Sequence, residues 1–462
     1  MTSRVLRSIG AGVFGRGEVE PHRAFLRAKK RSGAQLRLVL SDQRFGIVMP
    51  HSFLFVSWGI SGNMTPLLTA GRQLRCNGHR VRVMADPAMQ SEIGGEFDFV
   101  TWQRAPTGSD ADPTDASDRQ EWLRQAIFRP AAAYAADVRE EIERRPTDAV
   151  VCLDLLFGVA VAVEAAGLPL FLLSPHISIR PLPGLPPAIS GLPKPETEDQ
   201  RAEVEALLIS QAKRFNEFLP DFNKLRMVLG LPSLRHIYDQ FDRADRVLLA
   251  ISESFDFEAD ALPPNFRYVG PLLDIPAWSG PWHAPWPERQ DRPRALIACS
   301  TGAQGQKDLM QRIFDGVDMV DIEALATAGP SLRITDLRTP KNVLLVQSAP
   351  HDAVMREVSV VITQGGHGTV CRALVNDLPL LILPCGRDQV GNAARVKAKG
   401  AGLVLPSTAS PVEVAAAINE LISEPRYKFS ARRLGRAIRA DIIKHRFVHE
   451  VEAVMADRHA SR

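Results

Sequence analysis

Val358-Ser359-Val360-Val361-Ile362-Thr363-Gln364-Gly365-Gly366-His367-Gly368-Thr369 reads as the join between a buried strand and a helix. Val358–Ile362 is a short β-branched run, the composition of a strand covered on both faces. Three glycines follow and let the backbone approach another group closely. A helix from about Gly368 to Val375 then opens with free N–H groups and the positive end of its dipole. Such a terminus binds phosphate. Gln364, Gly365, Gly366, His367, Gly368 and Thr369 are therefore candidate diphosphate contacts. The turn is neither a Walker A loop nor GxGxxG, and a tight strand–helix turn without a ligand remains the alternative.

Outward from that turn, strand and helix signals alternate. Leu380–Leu383 is the next strand, and it ends in Leu383-Pro384-Cys385-Gly386-Arg387-Asp388-Gln389. Asp388 and Gln389 thus fall at a carboxyl strand end, where open parallel sheets place ligand groups. A carboxylate beside an amide suits sugar hydroxyls; Asp388 as a simple helix cap is the alternative. Val390–Lys399, Pro411–Ile422 and Pro425–Lys444 read as helices, and Ala295–Ala298 and Asn342–Val346 as strands. Toward the N-terminus, Ser52–Ser57 and Arg80–Met84 read as strands around a helix begun by Pro66. Val150–Leu153 and Leu170–Leu173 flank another helix. This alternation implies parallel sheets with helices on both faces. Pro181–Pro195 reads as a Pro/Gly-rich loop near a pocket.

Pro276–Pro293, rich in Pro, Trp and charge, reads as a linker. Its Trp278, Trp282 and Trp286 are expected to pack on a domain face. The expected organisation is an N-terminal extension over 1–48, a first α/β domain over 49–275, the linker over 276–293 and a second α/β domain with closing helices over 294–462. The two doubly wound domains would face each other with a ligand cleft between them.

Composition bounds the rest. The chain has 462 residues, 45% apolar and 24% charged, as ordinary globular proteins do. A net charge of +3 gives no argument for nucleic acid. Residues 1–48 carry ten basic and three acidic side chains, which leaves −4 for the remainder. That segment has no signal-peptide core and reads as a poorly ordered extension. Five cysteines without CxxC spacing imply a reducing compartment, no disulfide frame and no metal site. The apolar stretch 149–175 is broken by Asp154, Glu164 and Pro169, so no membrane span is expected. The expected location is the cytoplasm.

Asn342–Leu405, NVLLVQSAPHDAVMREVSVVITQGGHGTVCRALVNDLPLLILPCGRDQVGNAARVKAKGAGLVL, resembles the nucleotide-sugar signature of the UDP-glycosyltransferase superfamily, in particular its bacterial macrolide and natural-product members. FLFVSWGISGNMTPLLTAGRQLRCNGHRVRVMADP, DAVVCLDLLFGVAVAVEAAGLPLFLLSP, NFRYVGPLLD and STGAQGQ are similar to further segments of that family, in order and spacing. The resemblance implies a GT-B fold. It implies a UDP- or dTDP-sugar as co-substrate, no other cofactor, no metal, and inversion at the sugar. It places Gly366, His367, Gly368 and Thr369 at the pyrophosphate. Ser348 and His351 would flank base and ribose, Asp388 and Gln389 the sugar, and Thr301 the nucleotide.

Three positions depart from the family pattern. Gln364 stands where a His is usual near the phosphates. Arg372 stands where plant members have Glu. Asn63 stands where many members have the His that acts as general base, and an amide is not basic near neutral pH. Asp154, after the strand Val150–Leu153, and His176, in Ser174-Pro175-His176, are the remaining candidates to take a proton. The expected function is hexosyl transfer to a hydroxyl of a small hydrophobic acceptor, a natural product, polyphenol or lipid. A catalytically weakened nucleotide-sugar-binding partner and a GT-B epimerase are the alternatives. The acceptor pocket is expected around Gly59–Asn63, Asp154 and the Pro181–Pro187 loop.

Overall fold

The structure, a computed structural model, describes residues 50–59, 61–107, 119–274, 282, 285–286, 292–299, 306–329 and 332–460. The basic segment 1–48, Thr301 and Trp278 lie outside the described residues.

Two all-parallel sheets account for the alternation read from the sequence. The first comprises β1 (Ser52–Val56), β2 (Arg80–Ala85), β3 (Asp98–Thr101), β4 (Ala149–Leu153), β5 (Leu170–Ser174), β6 (Arg246–Leu249) and β7 (Phe266–Tyr268). Their spatial order is β3-β2-β1-β4-β5-β6-β7. The second comprises β8 (Arg294–Ala298), β9 (Glu323–Thr327), β10 (Val343–Val346), β11 (Val360–Thr363), β12 (Leu380–Ile382) and β13 (Gly402–Val404). Its order is β10-β9-β8-β11-β12-β13. Each order reverses once, between β1 and β4 and between β8 and β11. Ligands of doubly wound sheets bind beyond the strand ends at that reversal.

Burial explains the composition of the strands. Every residue of β1, β4 and β5 is buried, which only uninterrupted apolar runs permit. Fully buried Phe and Leu side chains such as Phe53, Phe171 and Leu172 each contribute about 1.5–3 kcal/mol.

The helices that matter for the site are α1 (Ser61–Cys76), α2 (Ala131–Arg144), α3 (Phe157–Ala165), α4 (Glu198–Asn216), α5 (Leu219–Val228), α6 (Gln306–Val317), α7 (His367–Val375), α8 (Gln389–Ala398), α9 (Pro411–Ser423), α10 (Pro425–Ile443) and α11 (Arg446–Ala460). α7 follows β11 directly, and α8 follows the β12 loop.

Three expectations need correction. Pro66 does not open α1; it lies inside a helix that starts at Ser61. Its ring removes one backbone donor that would bond the Gly62 carbonyl, a loss confined to the first two turns. The closing helices are divided between the sheets: Phe447, Val448, Val451, Val454 and Met455 of α11 join the core of the first sheet. The Pro/Gly-rich loop is more than a pocket wall, because Leu182 and Leu185 are buried in that same core. They are held there by packing. Of the linker tryptophans, Trp282 and Trp286 pack on the second sheet's core as expected. Trp286 also carries Arg294 5.0 Å above its ring.

Candidate functional site

The strand ends decide which side chains meet. Asp154 directly follows β4, at the reversal point of the first sheet. His176 lies two residues beyond β5, the neighbouring strand. Their side chains converge: His176 Nε2 is 3.2 Å from Asp154 Oδ1. On the ring's other side, Nδ1 is 3.0 Å from the Ile177 carbonyl oxygen and 3.3 Å from Ser174 Oγ. A carboxylate and a carbonyl both only accept, so this geometry suits an imidazolium that donates from both nitrogens. Burial opposes the charge, but Asp154, with a further contribution from Asp388, outweighs it and pushes the His176 pKa up to about 9.

The second sheet supplies the facing part. Gly365 has φ +95°, and a Cβ there would lie 2.7 Å from Ile382 Cγ2, so the turn requires glycine. A Cβ at Gly366 or Gly368 meets nothing within 4 Å, which leaves the N-terminus of α7 open to a ligand. Thr369 is half-buried in the first turn. The His367 ring points inward, so the pyrophosphate contact expected of this residue is not one its side chain makes. It is buried, with Nδ1 3.3 Å from Asn392 Oδ1 and Nε2 3.3 Å from Cys371 Sγ. Burial lowers its pKa and keeps it neutral. What His367 offers an anion is its backbone N–H.

Asp388 precedes α8 but makes no side-chain cap bond. It accepts from Asn392 Nδ2 at 3.1 Å instead. Its charge acts on both His176 and His367, so residues of the two sheets meet at one place. Gln389 braces the loop: its Oε1 accepts from the Cys385 N–H at 2.8 Å. Gln364 is buried with Nε2 3.4 Å from Cys385 Sγ, so it serves as a second brace there.

His351 lies five residues beyond β10, the edge strand, and opens a short helix, with its Nε2 3.1 Å from Thr327 Oγ1. Burial, with the Arg372 charge, pushes its pKa down to about 4. Ser348 is exposed beside it. Arg372, the departure from the plant pattern, forms an ion pair with Asp352 and donates to the Asp274 carbonyl at 2.5 Å. Asp274 in turn pairs with Arg72 of α1 at 2.7 Å. Arg372 therefore ties α7 to the segment after the first sheet.

Asn63 is half-buried in the first turn of α1, and among the described residues its amide has no hydrogen-bond partner. In the loop after β12, Arg387 has φ +56° and lies 5.9 Å over the Trp122 ring, which meets Trp58 edge-on at 6.5 Å. Strained backbone of this kind gathers at functional sites.

The arrangement thus unites Asp154, His176, Asp388 and the α7 terminus. Ser348 and His351 stand to one side, and Asn63 is not bonded to the Asp154–His176 pair. Sequence reading missed Asn392, although its place four residues after Asp388 puts both on one helix face. Among the described residues, no group of three or more His, Cys, Asp or Glu is arranged to hold a metal ion.

The fold is that of the GT-B glycosyltransferases, and the comparisons set the chain beside members of the natural-product type. Residues 311–454 match the model of the erythromycin biosynthesis protein CIII-like C-terminal domain. The chain is 25% identical over 407 residues to 4'-demethylrebeccamycin synthase of Lentzea aerocolonigenes, covering 81% of this chain and 92% of that one. Its fold is similar to the glycotransferase of kitacinnamycin, with TM-score 0.68 and 22% identity over 86% of this chain and 98% of that one. It is also similar to the spinosyn rhamnosyltransferase SpnG complexed with spinosyn aglycone, with TM-score 0.65 and 18% identity over 87% and 99% of the two chains. The same SpnG complexed with thymidine diphosphate aligns with TM-score 0.62 and 17% identity, covering 86% of this chain and all of that one. The protein is an enzyme, a hexosyltransferase by these likenesses. No helix among the described residues is long and apolar enough to cross a membrane.

Proposed function

We propose that the protein moves a hexosyl group from a UDP- or dTDP-sugar to a hydroxyl of a small hydrophobic acceptor, with inversion and without a metal ion. The observation that carries this reading is the open N-terminus of α7 beside Asp388, whose charge reaches both His367 and the His176 of the Asp154–His176 pair. Helix-terminal N–H groups and the dipole stabilise the departing diphosphate. Gly366, Gly368 and Thr369 lie at that terminus. Ser348 and His351 flank the nucleotide, with Thr301 assigned there from the sequence alone. Asp388 takes the sugar hydroxyls, and Gln389 holds the loop that presents it. The second α/β domain, which begins at residue 294, holds the donor, and the first, 49–275 with α11 packed on its core, holds the acceptor.

In the step itself the acceptor oxygen bonds to the anomeric carbon as the bond from that carbon to the diphosphate oxygen breaks. The hydroxyl proton passes to Asp154, whose Oδ2 accepts no hydrogen bond from the described residues. His176, as imidazolium, orients the carboxylate and does not take the proton, because both its nitrogens are engaged. The SpnG complexes with thymidine diphosphate and with aglycone support a nucleotide donor and a small acceptor. Five free cysteines support a reducing, cytoplasmic location.

The weakened-partner reading drew on Asn63, Gln364 and Arg372. Gln364 and Arg372 have structural partners, and Asp154–His176 offers the proton acceptor that Asn63 lacks. The test is nucleotide release from UDP- and dTDP-sugars, with and without macrolide and polyphenol acceptors. Release that rises with acceptor, an inverted anomer in the product and indifference to EDTA are expected. Binding of all donors without release would sink the proposal.

A further inference from the structure

We propose that Asn392 is a positioning residue for the donor, holding Asp388, the Gly365 turn and the His367 ring in one register through a single amide. The inference rests on the donor site assigned above. Asn392 is fully buried on α8. Its Nδ2 donates to the Gly365 carbonyl at 2.9 Å and to Asp388 Oδ2 at 3.1 Å. Its Oδ1 lies 3.3 Å from His367 Nδ1. Both amide hydrogens and the carbonyl are therefore used, and the partners come from the two loops that end β11 and β12.

Each bond has a separate consequence. A free carboxylate turns readily about its last torsion. The Asn392 N–H fixes the plane of Asp388 by holding Oδ2, and Oδ1 takes no hydrogen bond from the described residues. The bond to Gly365 sets the distance between that carboxylate and the α7 terminus. The bond to His367 puts the ring proton on Nδ1, which leaves Nε2 to accept from the Cys371 thiol 3.3 Å away. No other side chain of this size supplies two donors and one acceptor from one planar group. Leucine would strand the Gly365 carbonyl and the His367 N–H, and aspartate would bring no donor at all.

Backbone N–H groups of α7 hold the diphosphate whether or not Asp388 is aimed. Loss of Asn392 should thus spare nucleoside diphosphate binding and impair sugar transfer. The experiment is a double-mutant cycle of Asn392→Ala and Asp388→Ala, measuring UDP and dTDP affinity, transfer kcat/KM and thermal midpoint. Asn392→Ala is expected to keep nucleoside diphosphate affinity within about threefold and to lower transfer about 10- to 100-fold, as for a lost hydrogen bond to a charged group. In the Asp388→Ala background the further loss should shrink to under about threefold, because both act through one carboxylate. Multiplying effects, or equal losses in binding and transfer, would overturn the proposal. Should Asn392→Ala not fold, the nearly isosteric Asn392→Asp keeps the acceptor for His367, removes both donors and enters the same cycle with the same expectation. Wild-type protein that binds neither UDP nor dTDP would overturn the donor site itself; intact binding with an additive cycle would overturn Asn392 alone.

Discussion

His176 Nε2 lies 3.2 Å from Asp154 Oδ1, joining the ends of two adjacent parallel strands, β4 and β5. The pairing is a consequence of register. Leu153 faces Leu173 across the ladder, so the residue just after β4 reaches the short turn that follows β5. Asp154 also donates its backbone N–H to the Leu173 carbonyl at 3.1 Å, which fixes its position against β5. The pair therefore stands at the reversal point of the first sheet, where the proposed reaction puts its proton acceptor, although position 63 holds an amide.

The first prediction concerns pH. The folded-state pKa of His176, about 9, lies above the ordinary value of 6.5. The stability it adds is fully present below about 6.5 and is lost as pH rises through about 9. With Asp154 as proton acceptor and the imidazolium as its orienter, transfer should also fall through about 9. Asp154→Asn should lower kcat about 10²- to 10⁴-fold, and His176→Gln should remove the alkaline limb. A pH–rate profile of the three proteins checks this. Activity that climbs to a plateau above pH 9 would make neutral His176 the base.

Two neighbouring glycines should respond oppositely to substitution. Gly366 has φ −58° and open space beyond its Cα, so Gly366→Leu should leave the fold intact and abolish UDP or dTDP binding. Gly365 has φ +95° and Ile382 against it, so Gly365→Ala should cost about 1–3 kcal/mol in backbone strain and more in displaced side chains. Calorimetric binding and thermal unfolding of both variants separate the effects. A Gly366→Leu protein that binds nucleotide normally would remove α7 from the donor site.

Much of this was legible in the sequence because parallel sheets write themselves as apolar runs. Leu170–Leu173 and Val150–Leu153 could be read as strands since no solvent-facing residue interrupts them. β9, Glu323–Thr327, escaped notice because EALAT has a helix-forming composition, and only pairing with β8 and β10 makes it a strand. Asp154, His176 and Asp388 were placed by their position at strand ends. The inward turn of His367 was not legible: it depends on Asn392 and Cys371, which approach it only once α7 and α8 have packed. The use of Arg372 likewise needed Asp352 and the Asp274 carbonyl, which local sequence does not connect to it.

A third prediction tests what holds α8 in place. Arg395 is buried with its Nε 2.6 Å from Asp256 Oδ1 and its guanidinium 4.4 Å from the centre of the Phe257 ring. Asp256 also accepts from the Tyr268 hydroxyl at 2.8 Å. A Cβ at Gly391, on the same helix, would lie 2.2 Å from the Ala188 carbonyl oxygen, so the helix is already pressed against the 181–195 loop. Arg395→Met strands the Asp256 charge and should cost about 3–5 kcal/mol. Adding Asp256→Leu should recover part of that loss. Urea unfolding of the single and double variants measures both. Unchanged stability in Arg395→Met would mean that packing alone seats α8.

The last prediction concerns Asn63, the position that most distinguishes this chain from the family pattern. Its amide is half-buried and unpartnered among the described residues, and no bond links it to Asp154 or His176. It can offer an acceptor molecule a donor and a carbonyl but cannot take a proton. Asn63→Ala should therefore act chiefly on acceptor binding, raising the acceptor KM about 3- to 10-fold, as for a neutral hydrogen bond, with kcat nearly unchanged. Asp154→Asn should do the reverse. Steady-state kinetics with varied acceptor at saturating donor distinguishes them. A kcat lost to Asn63→Ala with acceptor KM unaltered would move the proton-transfer machinery from the β4–β5 turn to the start of α1. The same result would require a water or ligand group, fixed by Asn63, to complete the reaction.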